Sequence, residues 1–84
     1  MLEKGVRLDM AKVEAIRADL GFSVEEMAFL LNASRMSYYR WSNNRMGVSE
    51  RKKRTIVERL KQVDAIRSEV NGKLSFHQMM ELIQ

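Results

Sequence analysis

The sequence predicts an all-α domain of about five helices, and three observations predict it. The chain of 84 residues has no proline and only 4 glycines, so little in it breaks a helix. Apolar residues recur at spacings of three and four through most of its length. Asp9, Ser23, Ser34, Ser49 and Ser75 each stand just ahead of such a stretch, where a short polar side chain caps the first amides of a helix. The length suits one domain with one modest core, which favours packed helices over a large α/β enzyme.

The elements follow in order. Residues 1–7 form a short polar start, expected to be a loose arm. After Asp9, the residues Met10, Val13, Ile16 and Leu20 make one stripe of an amphipathic helix, which Gly21 stops because glycine enters the left-handed conformation freely. Ser23 and Glu26 have the spacing of a capping box, and Phe22 can staple against Met27. Met27, Ala28, Leu30 and Leu31 give the second helix its buried face. It runs to about Leu31, because Asn32-Ala33-Ser34 reads as a turn in which Asn32 tolerates positive φ. The third helix, Arg35 to about Asn43, carries Tyr38, Tyr39, Arg40 and Trp41, and Asn43-Asn44 is a second stop. Ser49 then opens a long helix with the stripe Ile56, Leu60, Val63, Ile66 and Val70, ended by Asn71-Gly72. Ser75 opens a final short helix with Phe76, Met79, Met80 and Ile83.

Charge is distributed unevenly along this order. Residues 1–33 carry 4 basic and 6 acidic side chains, and residues 55–84 carry 4 of each. Residues 34–54 carry Arg35, Arg40, Arg45, Arg51, Lys52, Lys53 and Arg54 against Glu50 alone, a net of +6 in a chain of net +4. A block of that kind suits a polyanion, since neutralising phosphates releases counterions; alone, it equally describes a solvated helix face. Its position decides, because it begins on a short helix joined by a tight turn to the helix before it. That arrangement is a helix-turn-helix spanning about residues 23–43. A small residue, Ala28, stands where the two helices cross. Asn32 follows four positions on, where the turn needs positive φ, and Tyr38 six further on, where the second helix must bury a side chain.

Through Arg17, Gly21-Phe22-Ser23, Glu25-Glu26-Met27-Ala28, Leu31-Asn32-Ala33-Ser34-Arg35 and Arg40-Trp41, the chain resembles the lambda-repressor-like, or Cro-type, helix-turn-helix family over about residues 8–60. The resemblance implies a double-stranded DNA-binding transcriptional regulator of phage or bacterial type, a repressor acting in the cytoplasm as a homodimer on a two-fold operator. It implies that Ser34, Arg35, Met36, Tyr39, Arg40 and Asn43 face the major groove or its flanking phosphates. It also implies that the amide end at Ser23 and Val24 meets a phosphate. Several residues depart from the family pattern: Asn32 and Asn44 stand at usual glycines, and Val24 and Met36 replace polar residues. Ser42 stands where an acid is usual and offers Arg17 no carboxylate there, and the hydroxyl of the bulky Tyr38 needs water or a partner.

By the same resemblance, Ser34, Arg35, Met36 and Tyr39 are the candidate base readers. Chemistry assigns the remaining roles. Arg35 suits a bidentate contact to guanine, the alternative being phosphate or solvent; Tyr39 suits a thymine methyl or a phosphate, the alternative being half-exposed packing. Arg40, Asn43, Arg45, Arg51, Lys52, Lys53 and Arg54, with Ser23 and Val24, are the candidate backbone contacts. Ile56, Leu60, Val63, Ile66, Val70, Phe76, Met79, Met80 and Ile83 exceed what three short helices can cover, so they are expected to form a dimerisation surface, the alternative being a fold-back that completes the core. Residues 61–84 are then a C-terminal extension of the same domain.

Other classes rank lower. A protein partner held by residues 72–84, as in an antitoxin-like or adaptor protein, is the main alternative function. Single-stranded RNA binding would need bases stacked on Tyr38, Tyr39 or Trp41, two of which point inward by helical period. The absence of cysteine and the lone His77 leave no disulfide frame, thiolate metal site or His-based triad, and no cofactor is expected. Glu3, Lys4 and Arg7 with no long apolar run argue against a signal peptide or membrane span.

Overall fold

A computed structural model describes residues 8–43, 48–70 and 74–83. Five helices run in order: α1 Met10–Leu20, α2 Val24–Leu30, α3 Arg35–Ser42, α4 Glu50–Glu69 and α5 Phe76–Leu82. The described residues contain no strand. The N-terminal arm, Asn44, Arg45 and the Asn71-Gly72 stop lie outside them.

Local chemistry accounts for each boundary. Asp9 accepts the Ala11 amide at 3.0 Å, Ser34 accepts Ser37 at 3.1 Å and Ser49 accepts Lys52 at 3.2 Å. Ser23–Glu26 and Ser75–Gln78 are reciprocal capping boxes, with all four bonds between 2.9 and 3.1 Å. α1 and α2 end in the same way. Gly21 has φ 75°, and the amide of Phe22 reaches back to the Arg17 carbonyl at 3.2 Å. Asn32 has φ 62°, and the amide of Ala33 reaches back to the Ala28 carbonyl at 2.8 Å. Both are left-handed helix ends closed by a six-to-one bond, and asparagine takes the glycine place in the second.

One core joins all five helices. Val13 and Ile16 from α1, Phe22, Met27, Ala28, Leu30 and Leu31 from around α2, and Tyr38 and Trp41 from α3 are buried together with Ile56, Leu60 and Val63 of α4 and with Met79 and Ile83. This corrects the expected dimerisation surface. Ile56, Val63 and Met79 have no exposed area, and Leu60 and Ile83 are at most 7% exposed. Ile66 and Phe76 pack against the same cluster, and Val70 is half-buried. α5 folds back onto α4 and the rest of the core, so the stripe is satisfied within the chain. Only Met80 of the expected set is left exposed, together with its neighbour Leu82.

Long-range polar contacts fix the helices against one another. Arg67 of α4 bridges Asp64, at 2.6 Å, and Asp19 near the end of α1, at 2.7 Å. Among the described residues, no helix is long and apolar enough to cross a membrane.

Candidate nucleic-acid interface

The α2–turn–α3 unit is held from both sides. On the inner side of α3, Tyr38 is 1% exposed and its hydroxyl donates to the Glu14 carboxylate of α1. Glu14 in turn accepts from Arg17, with Nη2 to Oε1 at 2.9 Å, and the other Arg17 terminal nitrogen donates to the Phe22 carbonyl at 2.7 Å. Burial, and then the bond to Glu14, push the Tyr38 hydroxyl well above the ordinary tyrosine range, so it remains a donor. The Arg17 hydrogen bond, assisted by that of Tyr38, holds the Glu14 carboxyl below its usual value against the opposing effect of burial. The acid that Ser42 does not provide for Arg17 thus comes from α1 itself. Ser42 instead donates its hydroxyl to the Tyr38 carbonyl at 3.0 Å.

On the other side, α4 supplies donors to carbonyls at the end of α2 and in the turn that follows it. Arg59 Nε reaches the Leu30 carbonyl at 2.9 Å and Lys52 Nζ reaches the Asn32 carbonyl at 3.2 Å. Lys52, expected on the DNA backbone, therefore serves the turn. Sequence reasoning missed Arg59. The available signal was its spacing of seven from Lys52, which places both on one face of α4.

With Tyr38 and Trp41 turned inward, the outward face of α3 presents Arg35, Met36, Tyr39, Arg40 and Asn43 around a shallow depression of about 340 Å³. Met36 is 64% exposed and Tyr39 50%. All five were expected to read or touch DNA, and Asn43 closes the helix as its C-cap. Ser34 stands at the N-cap of α3 as its position predicts: its hydroxyl accepts the Ser37 amide and donates to Ser37 Oγ, both at 3.1 Å. At the start of α2, the Ser23 amide is taken by Glu26, and Glu25 and Glu26 crowd the first turn with negative charge. Val24 packs against the core. The phosphate expected at Ser23 and Val24 would meet two carboxylates there, which disfavours it. Arg51 and Arg54 are exposed along the first turns of α4, and Lys53 pairs with Glu50 at 3.2 Å. Arg45 lies outside the described residues.

A second surface lies between α2 and α5. Ser23, Glu25, Glu26, Phe29, Phe76, His77 and Met80 line an open groove of about 460 Å³. Phe76 forms its floor, with edge-on ring contacts to Phe22 at 5.8 Å and to Phe29 at 6.1 Å. Phe29 itself is 57% exposed. No group of three His, Cys, Asp or Glu residues able to hold a metal stands together among the described residues. Compared with family models, curated proteins and solved structures, the chain matches none.

Proposed function

We propose that this protein is a sequence-specific double-stranded DNA-binding regulator of transcription, with a lambda-repressor-like arrangement in which α2 and α3 form the helix-turn-helix and α3 enters the major groove. The observation that carries the reading is the two-sided character of α3. One side is locked into the core by Tyr38 and Trp41, while the other offers arginines, a methionine and a tyrosine to the exterior at a helical spacing. A rigid helix with such a face provides both components of duplex recognition, cations for phosphates and adaptable side chains for base edges. The charge block of residues 34–54 supports it, because Arg51 and Arg54 remain exposed after Lys52 is taken by the turn.

Repression through a two-fold operator remains part of the proposal, but the stripe first expected to pair two copies is used inside each one. A selection of random duplexes on the pure protein at two salt concentrations tests both points. Enrichment of a motif whose half-sites lie about 10 base pairs, or 34 Å, apart supports a dimeric operator binder. A single unrepeated half-site supports a monomeric reader, and no motif at either salt overturns the reading.

The groove between α2 and α5 favours a second reading, that of an antitoxin-like or adaptor protein. Its exposed Phe29 and Met80 beside Glu25 and Glu26 suit a protein segment with apolar anchors and basic flanks. Formation of a stoichiometric complex lost on Phe29→Asp, with duplex binding absent, would establish that reading in place of the first.

A further inference from the structure

Two large side chains on the outward face of α3 turn much of their apolar surface to the exterior. Met36 and Tyr39 are three residues apart, so their side chains stand side by side on one face, about 5–6 Å apart at Cβ. They are 64% and 50% exposed, while the inward residues Tyr38 and Trp41 already fill the space between α3 and the core. Arg35 and Arg40 flank them around the same depression. The floor of a DNA major groove offers an apolar side chain one apolar group, the C5-methyl of a pyrimidine, whereas the minor groove offers none. Beside such a methyl, a guanidinium finds its best partner in the O6 and N7 acceptors of guanine.

From this juxtaposition we infer that α3 reads a C5-methylated pyrimidine next to a guanine. Met36 and Tyr39 pack on the methyl, and Arg35 forms the paired hydrogen bonds to the guanine. The inference rests on the duplex-binding reading above and names what that surface selects. Thymine and 5-methylcytosine both carry the methyl, so the chemistry is shared between a T–G step and a methylated C–G step. Asn43, at the far end of the depression, and Arg40 then lie toward the flanking sugar-phosphate.

The test uses the full chain and three random duplex libraries: ordinary DNA, DNA with uracil for thymine, and uracil-containing DNA with 5-methylcytosine for cytosine. Uracil differs from thymine only by the methyl. Burying one such group is worth about 0.8 kcal/mol, or about fourfold in affinity. The expected result is a motif from the first library with a pyrimidine–guanine step, whose uracil version binds about fourfold more weakly per half-site. Recovery with the thymine duplex alone identifies a T–G step; recovery in the third library identifies methylated C–G. Met36→Ala and Tyr39→Ser, both substitutions at exposed positions, should each narrow the difference between the thymine and uracil duplexes. Equal affinity of the wild-type protein for methylated and unmethylated duplexes overturns the inference and leaves duplex binding intact. An unchanged methyl preference in both Met36→Ala and Tyr39→Ser overturns the assignment to these residues. Enrichment from none of the libraries overturns the inference and the duplex-binding reading together.

Discussion

Replacing Tyr38 by phenylalanine removes one oxygen atom from the interior and keeps the ring that fills the space between α3 and the core. What is lost is the hydrogen bond to the Glu14 carboxylate. Hydrogen bonds to a charged group contribute about 1.5–3 kcal/mol. The lower end applies here, because the Glu14 side chain is 41% exposed and Arg17 still holds it, so water replaces part of the lost donor. The expected destabilisation is about 1.5 kcal/mol. At about 2.1 cal/mol/K of unfolding entropy per residue, a chain of 84 residues loses about 8 °C of Tm for that change. Urea and thermal unfolding followed by circular dichroism read it directly. The same substitution in a Glu14→Ala background should be neutral or stabilising, since there the buried hydroxyl has already lost its acceptor. Duplex affinity measured well below Tm should change less than twofold, because the outward face of α3 is untouched. A loss under about 0.5 kcal/mol, or an equal loss in both backgrounds, would show that the hydroxyl does not link α1 to α3.

Three further outcomes follow from the same geometry. Ile56→Ala should cost about 3 kcal/mol in urea unfolding, the usual range for a buried large-to-small change, and leave the oligomeric state seen by light scattering unchanged; dissociation of a dimer without loss of protomer stability would restore the pairing surface. The Glu14 carboxyl is held below its unfolded value of 4.5, so its contribution is present above that pH and is lost as pH falls through the folded value. The gap in urea midpoint between wild type and Glu14→Gln should therefore narrow on acidification below pH 4.5, and a gap independent of pH would contradict the assignment. Arg35→Ala should flatten preference among selected duplexes, whereas Arg54→Ala should weaken all of them alike and reduce the salt slope by about 1; identical behaviour of the two would remove the distinction between reading and anchoring.

The helices and their limits were legible because capping is local. Asp9, Ser23, Ser34, Ser49 and Ser75 act on amides two or three residues away, and Asn32 adopts positive φ within its own turn. The outward face of α3 was legible from helical period, once Tyr38 and Trp41 were turned inward. The destination of the Ile56–Ile83 apolar set was not. It depends on where α5 lands after the chain passes residues 71–73, and no spacing along the sequence encodes that direction. Lys52 and Arg59 were hidden for the same reason: their acceptors are the carbonyls 20 and 29 residues earlier. A basic residue in a basic block reads as a phosphate contact until the carbonyls at the end of another helix are brought beside it. Ser23 caps α2 in the box that its spacing from Glu26 predicts, and the Glu26 carboxylate takes up the Ser23 amide in return.

The docking of α5 has a thermodynamic consequence. A helix of seven residues has too few turns to persist in water without support, so α5 is helical only while Met79 and Ile83 remain seated in the core. Helix formation, burial of those two side chains and assembly of the α2–α5 groove are therefore one equilibrium. Any ligand that binds across Phe29, Phe76 and Met80 draws on that equilibrium and raises the stability of the docked state by RT ln(1 + [L]/Kd). Conversely, a substitution that loosens Met79, which touches no ligand, lowers affinity at the groove by the fraction of molecules in which α5 is undocked. Groove occupancy and hydrogen-exchange protection of the α5 amides are thus linked quantities, and each reports on the other.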